Sequence, residues 1–159
     1  MSRFVNMTLG LVSGFYDARC RVTETSTGLT SAWSNTVTNF SIVPNAPVLI
    51  LVSATNFAWF TVDVDNYIAA GDTIELQVQT TGGSWSSLTT DQIHTITSGE
   101  DAANEIDLTV ILPNGSYDAR ARVTDTVGSG LTSGWSSTVV NFTISGVAVQ
   151  DLTFFLLGV

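Results

Sequence analysis

Lysine is absent from this 159-residue chain, and its five basic residues are all arginine. Fourteen acidic residues stand against them, leaving a net charge of −9. Nucleic-acid binding needs clustered Lys and Arg to displace counterions, so this balance argues against a nucleic-acid partner. It argues equally against an anionic membrane surface. A single cysteine, Cys20, excludes an internal disulfide. No apolar run approaches the roughly 20 residues of a membrane helix, and the first ten residues, MSRFVNMTLG, lack the apolar core and cleavage site of a signal peptide. Helical periodicity is scarce too: the nearest candidate, 98–105, is short and polar, and an acidic surface loop is expected over 98–104. Charged residues make up only 12% against 44% hydrophobic, the balance of a packed globular protein rather than a disordered one.

Val, Ile, Thr and aromatic residues fill the remaining runs and favour strands. The clearest stretch is SYDARARVTDTVGSGLTSGWSSTVVNFTI, residues 116–144. Tyr117, Ala119, Ala121 and Val123 alternate with Asp118, Arg120, Arg122 and Thr124, the period-2 pattern of a strand with one face in a core. A Gly/Ser-rich connection leads to a second strand, where Val140, Phe142 and Ile144 are expected to face inward and Val139, Asn141 and Thr143 outward. The same hairpin occurs earlier as FYDARCRVTETSTGLTSAWSNTVTNFSI, residues 15–42. The alignment sets Cys20 against Ala121, so Cys20 is expected as a small buried hydrophobe.

In order, VNMTLGLV (5–12) reads as a strand entering the first hairpin, and VPNAP (43–47) as a short Pro-bracketed hinge. Strands follow at 48–54, at 57–64 with Trp59 as the expected core anchor, at 73–81, at 92–96 as a short edge, and at 105–112. With the hairpin at 116–144 that makes seven strands at sandwich spacing. The repeat offset of 101–102 residues is one sandwich domain per period. The expected organisation is therefore the C-terminal half of a sandwich at 1–44, a complete one at 45–145, and an apolar tail strand at 146–159.

ILPNGSY (111–117) resembles the tyrosine corner of fibronectin type III domains, with Pro four residues before Tyr. Tyr117 carries that role and Tyr16 is its counterpart, with Val12 in place of the proline. TSAWS and TSGWS resemble half of the WSxWS signature of cytokine receptors, whose Trp rings interleave with outward Arg side chains. That resemblance implies stacks of Arg19 and Arg21 with Trp33, and of Arg120 and Arg122 with Trp135, shorter than the family's because each motif has one Trp. It implies an all-β, fibronectin type III-like β-sandwich fold, one complete domain preceded by a half-domain, of the kind used as spacer or recognition module.

No catalytic, cofactor-binding or metal-ligating constellation is expected. His94 has no Ser or Cys partner and reads as a surface residue. Asp63, Asp65 and Asp72 follow no calcium-loop spacing, and Trp85 is expected to pack over a sheet end rather than on a sugar ring. The open half-sandwich and the tail side chains Leu152, Phe154, Phe155, Leu156 and Leu157 would expose apolar surface and strand edges, which native proteins cover. The expectation is a non-enzymatic structural or surface-display protein that assembles by strand addition, as a homo-oligomer or with other structural proteins. In style it resembles the Ig-like modules of tailed-phage virions, found in capsid decorations, fibres or tails, which implies a virion or extracellular surface location. A carbohydrate- or cell-binding adhesin module of a secreted bacterial protein, with surface glycans as partners, is the alternative.

Overall fold

The computed structural model describes residues 9–64, 68–103 and 105–146. They form nine antiparallel strands and one short helix: β1 (Gly14–Ala18), β2 (Val37–Ile42), β3 (Val48–Ala54), β4 (Ala58–Asp63), β5 (Thr73–Thr80), β6 (Thr90–Thr95), α1 (Ser98–Ala103), β7 (Glu105–Val110), β8 (Gly115–Thr124) and β9 (Val139–Ile144). β1 and β2 make a two-stranded sheet, β3-β4-β7 a three-stranded one and β6-β5-β8-β9 a four-stranded one. The fold is all-β and β-sandwich-like. Apolar residues at alternate positions of β4, β5, β7 and β8 reach zero or near-zero exposure, and the inward faces of the two larger sheets form a single core. Phe60 is wholly buried at its centre, edge-on to Phe142 with centroids 5.5 Å apart.

Trp59 is not the core anchor. Strand alternation puts it on the outer face of β4, half-buried, where its indole Nε1 donates to Asp107 at 3.1 Å. Its neighbour Phe60 takes the interior place. The parity expected for β9 also changes partway along. Pairing runs Tyr117↔Phe142 and then Ala119↔Val139, so two residues of β9 oppose Asp118 alone. Asn141 absorbs this bulge with φ 55°, a left-handed conformation that Asn tolerates. Val139 therefore packs against the core while Val140 is exposed. The first hairpin carries the same device, with Asn39 at φ 56° and a register shift between Tyr16 and Ala18.

Residues 98–103 form α1 rather than a loop. Thr97 and Glu100 make a reciprocal cap: the Thr97 amide and hydroxyl both donate to Glu100 Oε2, and the Glu100 amide reaches back to Thr97 Oγ1 at 3.5 Å. His94, on the edge strand β6, places Nε2 2.9 Å from the same carboxylate. The strand expected at 5–12 is not seen over residues 9–12, and its first part lies outside the described residues.

The contrast between the two aromatic neighbours is measurable. Phe60→Ala should destabilise by about 3–5 kcal/mol through lost burial and a residual cavity. Trp59→Phe, which forfeits one exposed hydrogen bond, should cost less than about 1.5 kcal/mol in urea unfolding. Comparable losses at the two positions would contradict this assignment of the core.

Candidate functional site

The two copies of the hairpin share their local chemistry. The Tyr117 hydroxyl donates to the Pro113 carbonyl at 2.9 Å, and the Tyr16 hydroxyl to the Val12 carbonyl at 2.8 Å. The acceptor is backbone, so Val serves where the second copy has Pro. Glycine stands two residues before each tyrosine, and a Cβ on Gly115 would sit 3.1 Å from the phenol oxygen. Beyond the corner, serines three apart close the strand. Ser136 exchanges bonds with Ala121, accepting from its amide at Oγ and donating its own amide to its carbonyl, and Ser133 does the same with Val123. Ser34 with Cys20 and Ser31 with Val22 repeat the pattern. The serines three apart thus bond the strand's backbone, and the tryptophan between them lies over its arginine side chains.

That tryptophan builds the arginine stack. Arg120 lies 4.0 Å and Arg122 4.4 Å from the Trp135 ring centroid. Trp85, from the loop after β5, covers the other side of Arg120 at 4.1 Å, so the ladder is longer than the motif alone implies. One face of the Trp85 ring is thereby taken by Arg120. β5 supplies the counter-groups: Glu75 pairs with Arg122 at 2.6 Å, and Gln77 Oε1 accepts from Arg120 at 2.7 Å. In the first hairpin, Arg19 and Arg21 lie 4.4 and 4.7 Å from the Trp33 centroid. Among the described residues no carboxylate forms an ion pair with either of them.

The two copies part company in what covers them. Tyr117, Ala119, Ala121, Val123, Phe142 and Ile144 are all buried to 5% exposure or less. Their counterparts Tyr16, Ala18, Phe40 and Ile42 are only half-buried, and Val22 is 71% exposed. Cys20 is exposed as well, not the buried hydrophobe its alignment with Ala121 suggested, because no described residue supplies the opposing sheet. An apolar hollow of about 210 Å³ opens beside Leu9, Ala18, Cys20 and Val37. β8 is paired on both sides, by β5 and β9, whereas among the described residues β1 is paired only by β2. The hairpin meets the seven-strand unit where the Ser13 hydroxyl donates to Asp125 and where Leu11, Ile42 and Pro44 approach Ile68. The tail residues Leu152, Phe154, Phe155, Leu156 and Leu157 lie outside the described residues.

His94 is bonded to Glu100. Asp72, fully buried, accepts the amides of Ala69 and Val127. Among the described residues no three His, Cys, Asp or Glu side chains converge as metal ligands. No family model matches this chain, and no curated protein is similar to it.

Two buried carboxylates tie the hairpins together and respond to acid. Burial pushes the Asp118 carboxyl up, but the Asn141 and Gly82 amides, Thr81 and Gln79 outweigh it and hold the group below its ordinary value. Asp125 is depressed in the same way, burial being offset by Ser13, Ser129 and Gly128. A depressed folded-state pKa stabilises above the unfolded value near 3.8, and this stabilisation is lost as pH falls through the folded value. Urea midpoints should therefore drop between pH 5 and pH 2, and the Asp118→Asn variant should show a smaller drop. An equal drop in both proteins would remove Asp118 from this account.

Proposed function

We propose that this chain is a non-enzymatic structural module built of fibronectin type III-like β-sandwiches, one complete and one represented by a single hairpin, which assembles by strand complementation as part of a larger structure such as a virion decoration, fibre or tail. The observation that carries this reading is the uncovered face of the first hairpin. A sequence that buries its inward side chains in its second occurrence leaves the same positions half-buried or exposed in its first, among the described residues. A two-stranded ribbon of that kind is marginal alone and is an aggregation hazard unless a partner covers it. Seven strands in two antiparallel sheets of three and four, a tyrosine corner and a Trp–Arg stack support the fibronectin type III-like part of the proposal. The virion setting rests on the resemblance in composition and repeat style.

Light scattering on the eluting peak after size exclusion, over a range of concentrations, tests the reading. The full chain should form a discrete oligomer or filament, while a chain ending at residue 146 should remain monomeric. If both run as soluble monomers at all concentrations, the assembly reading fails. Glycan binding by such a monomer would then favour the adhesin alternative.

A further inference from the structure

We propose that the open edge of β1, and of the residues that continue it to Val22, is filled by residues 150–156 of a second copy of this chain, in the register that β5 takes against β8, so that copies link head to tail. The inference rests on the assembly reading above and specifies its partner, its edge and its register.

The register comes from the complete copy. There β5 runs antiparallel to β8, with Glu75 opposite Arg122, Leu76 opposite Ala121, Gln77 opposite Arg120 and Val78 opposite Ala119. Inward positions of β5 are apolar, and the outward ones carry the acid and amide that meet the two arginines. A strand that takes this place beside β1 needs an acid opposite Arg21, a polar residue opposite Arg19, and apolar residues opposite Cys20 and Ala18. The chain holds such a run outside the described residues: Asp151, Leu152, Thr153 and Phe154, with Leu156 next in phase. Antiparallel pairing sets Asp151 across from Arg21, Leu152 from Cys20, Thr153 from Arg19, Phe154 from Ala18 and Leu156 from Tyr16. Asp151 is the only charged residue after Asp125. In this register it would meet the face where Arg19 and Arg21 have no paired carboxylate among the described residues.

Reach makes the donor a second copy. The Ser145 and Gly146 amides donate to the Thr55 carbonyl, and Ile144 pairs with Gly115, so residue 146 leaves from the Gly115 end of β8. The hairpin is attached at the other end, where Ser13 meets Asp125. The ten residues of β8 lie between, roughly 33 Å at about 3.3 Å per residue. The five residues from Gly146 to Asp151 span at most about 18 Å fully extended. Asp151 therefore falls short even of the hairpin's attachment point, and Arg21 lies eight residues beyond Ser13. A tail that reaches only another copy's hairpin makes a heterologous contact, which closes as a ring or continues as a filament.

Separating donor from acceptor tests this. A chain ending at residue 146 keeps the acceptor and lacks the donor; it retains the whole core, which lies within residues 49–144. A full-length Ala18→Asp variant keeps the donor and carries a blocked acceptor. Each should be monomeric alone, with the thermal transition of the complete unit unchanged, and the two mixed should give a 1:1 complex that grows no further. Asp151→Arg and Arg21→Asp should each weaken self-association at least tenfold, and the two together should restore it. If the wild-type chain assembles but the mixture forms no complex, or the charge reversals have no effect, the tail-to-β1 register is wrong while the assembly reading survives. A wild-type chain that stays monomeric overturns both.

Discussion

Everything in this molecule depends on covering one strand face. β8 places Tyr117, Ala119, Ala121 and Val123 against the inward residues of β3, β4 and β7, and each large side chain so buried contributes about 1.5–3 kcal/mol. The corner hydrogen bond, the bulge at Asn141 and the serine–backbone bonds shape the hairpin, but they do not make it stable by themselves. The first copy demonstrates the separation: it has the same corner at Tyr16, the same bulge at Asn39 and the same serine bonds at Ser31 and Ser34, yet its Val22 and Val37 face solvent. Local bonds select the conformation, and the opposing sheet supplies the burial that holds it.

The hairpins were legible because their period is 2, their turns are marked by glycine, and they occur twice. What escaped depends on features that periodicity does not encode. A one-residue bulge reverses parity within β9, so Val139 and Val140 trade faces, and the only local trace of it is an asparagine that tolerates positive φ. Trp59 and Phe60 are adjacent aromatics, and only the pairing of β4 with β3 and β7 decides which of them faces inward. Cys20 was misplaced for a different reason: alignment to Ala121 carries over the conformation of a strand but not its neighbours. The helix at 98–103 had a readable signal in T-S-G-E, a capping box hidden in an otherwise polar run.

The arginine ladder shows the same division between local and non-local information. Spacing within the hairpin places Trp135 over Arg120 and Arg122, and Trp33 over Arg19 and Arg21. Trp85, Glu75 and Gln77 come from β5 and its loop, 35 or more residues away, and without them the ladder would lack its second ring and its counter-charge. A guanidinium held between two rings loses hydration, so it gains more from a fixed acceptor than a free surface arginine does. β5 is therefore part of the arginine site as much as part of the sheet.

This bears on why an open edge can persist in the first hairpin without pairing with every strand it meets. Natural sheets guard their edges with charge, and here Arg19 and Arg21, stacked on Trp33, follow directly on β1, whose second side is unpaired among the described residues. An incoming strand that is apolar on both faces would desolvate two cations and offer nothing in return, a cost of several kcal/mol per ion when burial is deep. A strand with an acid at one outward position and a polar group two residues on meets both cations and keeps its apolar face for Ala18 and Tyr16. The arginines thus do opposite things according to the pattern of the partner: they oppose indiscriminate edge pairing, and they favour a strand patterned like β5. On the proposed assembly, specificity at this edge would lie in the alternation of the strand that fills it, with burial supplying most of the free energy and the charge pair selecting the register.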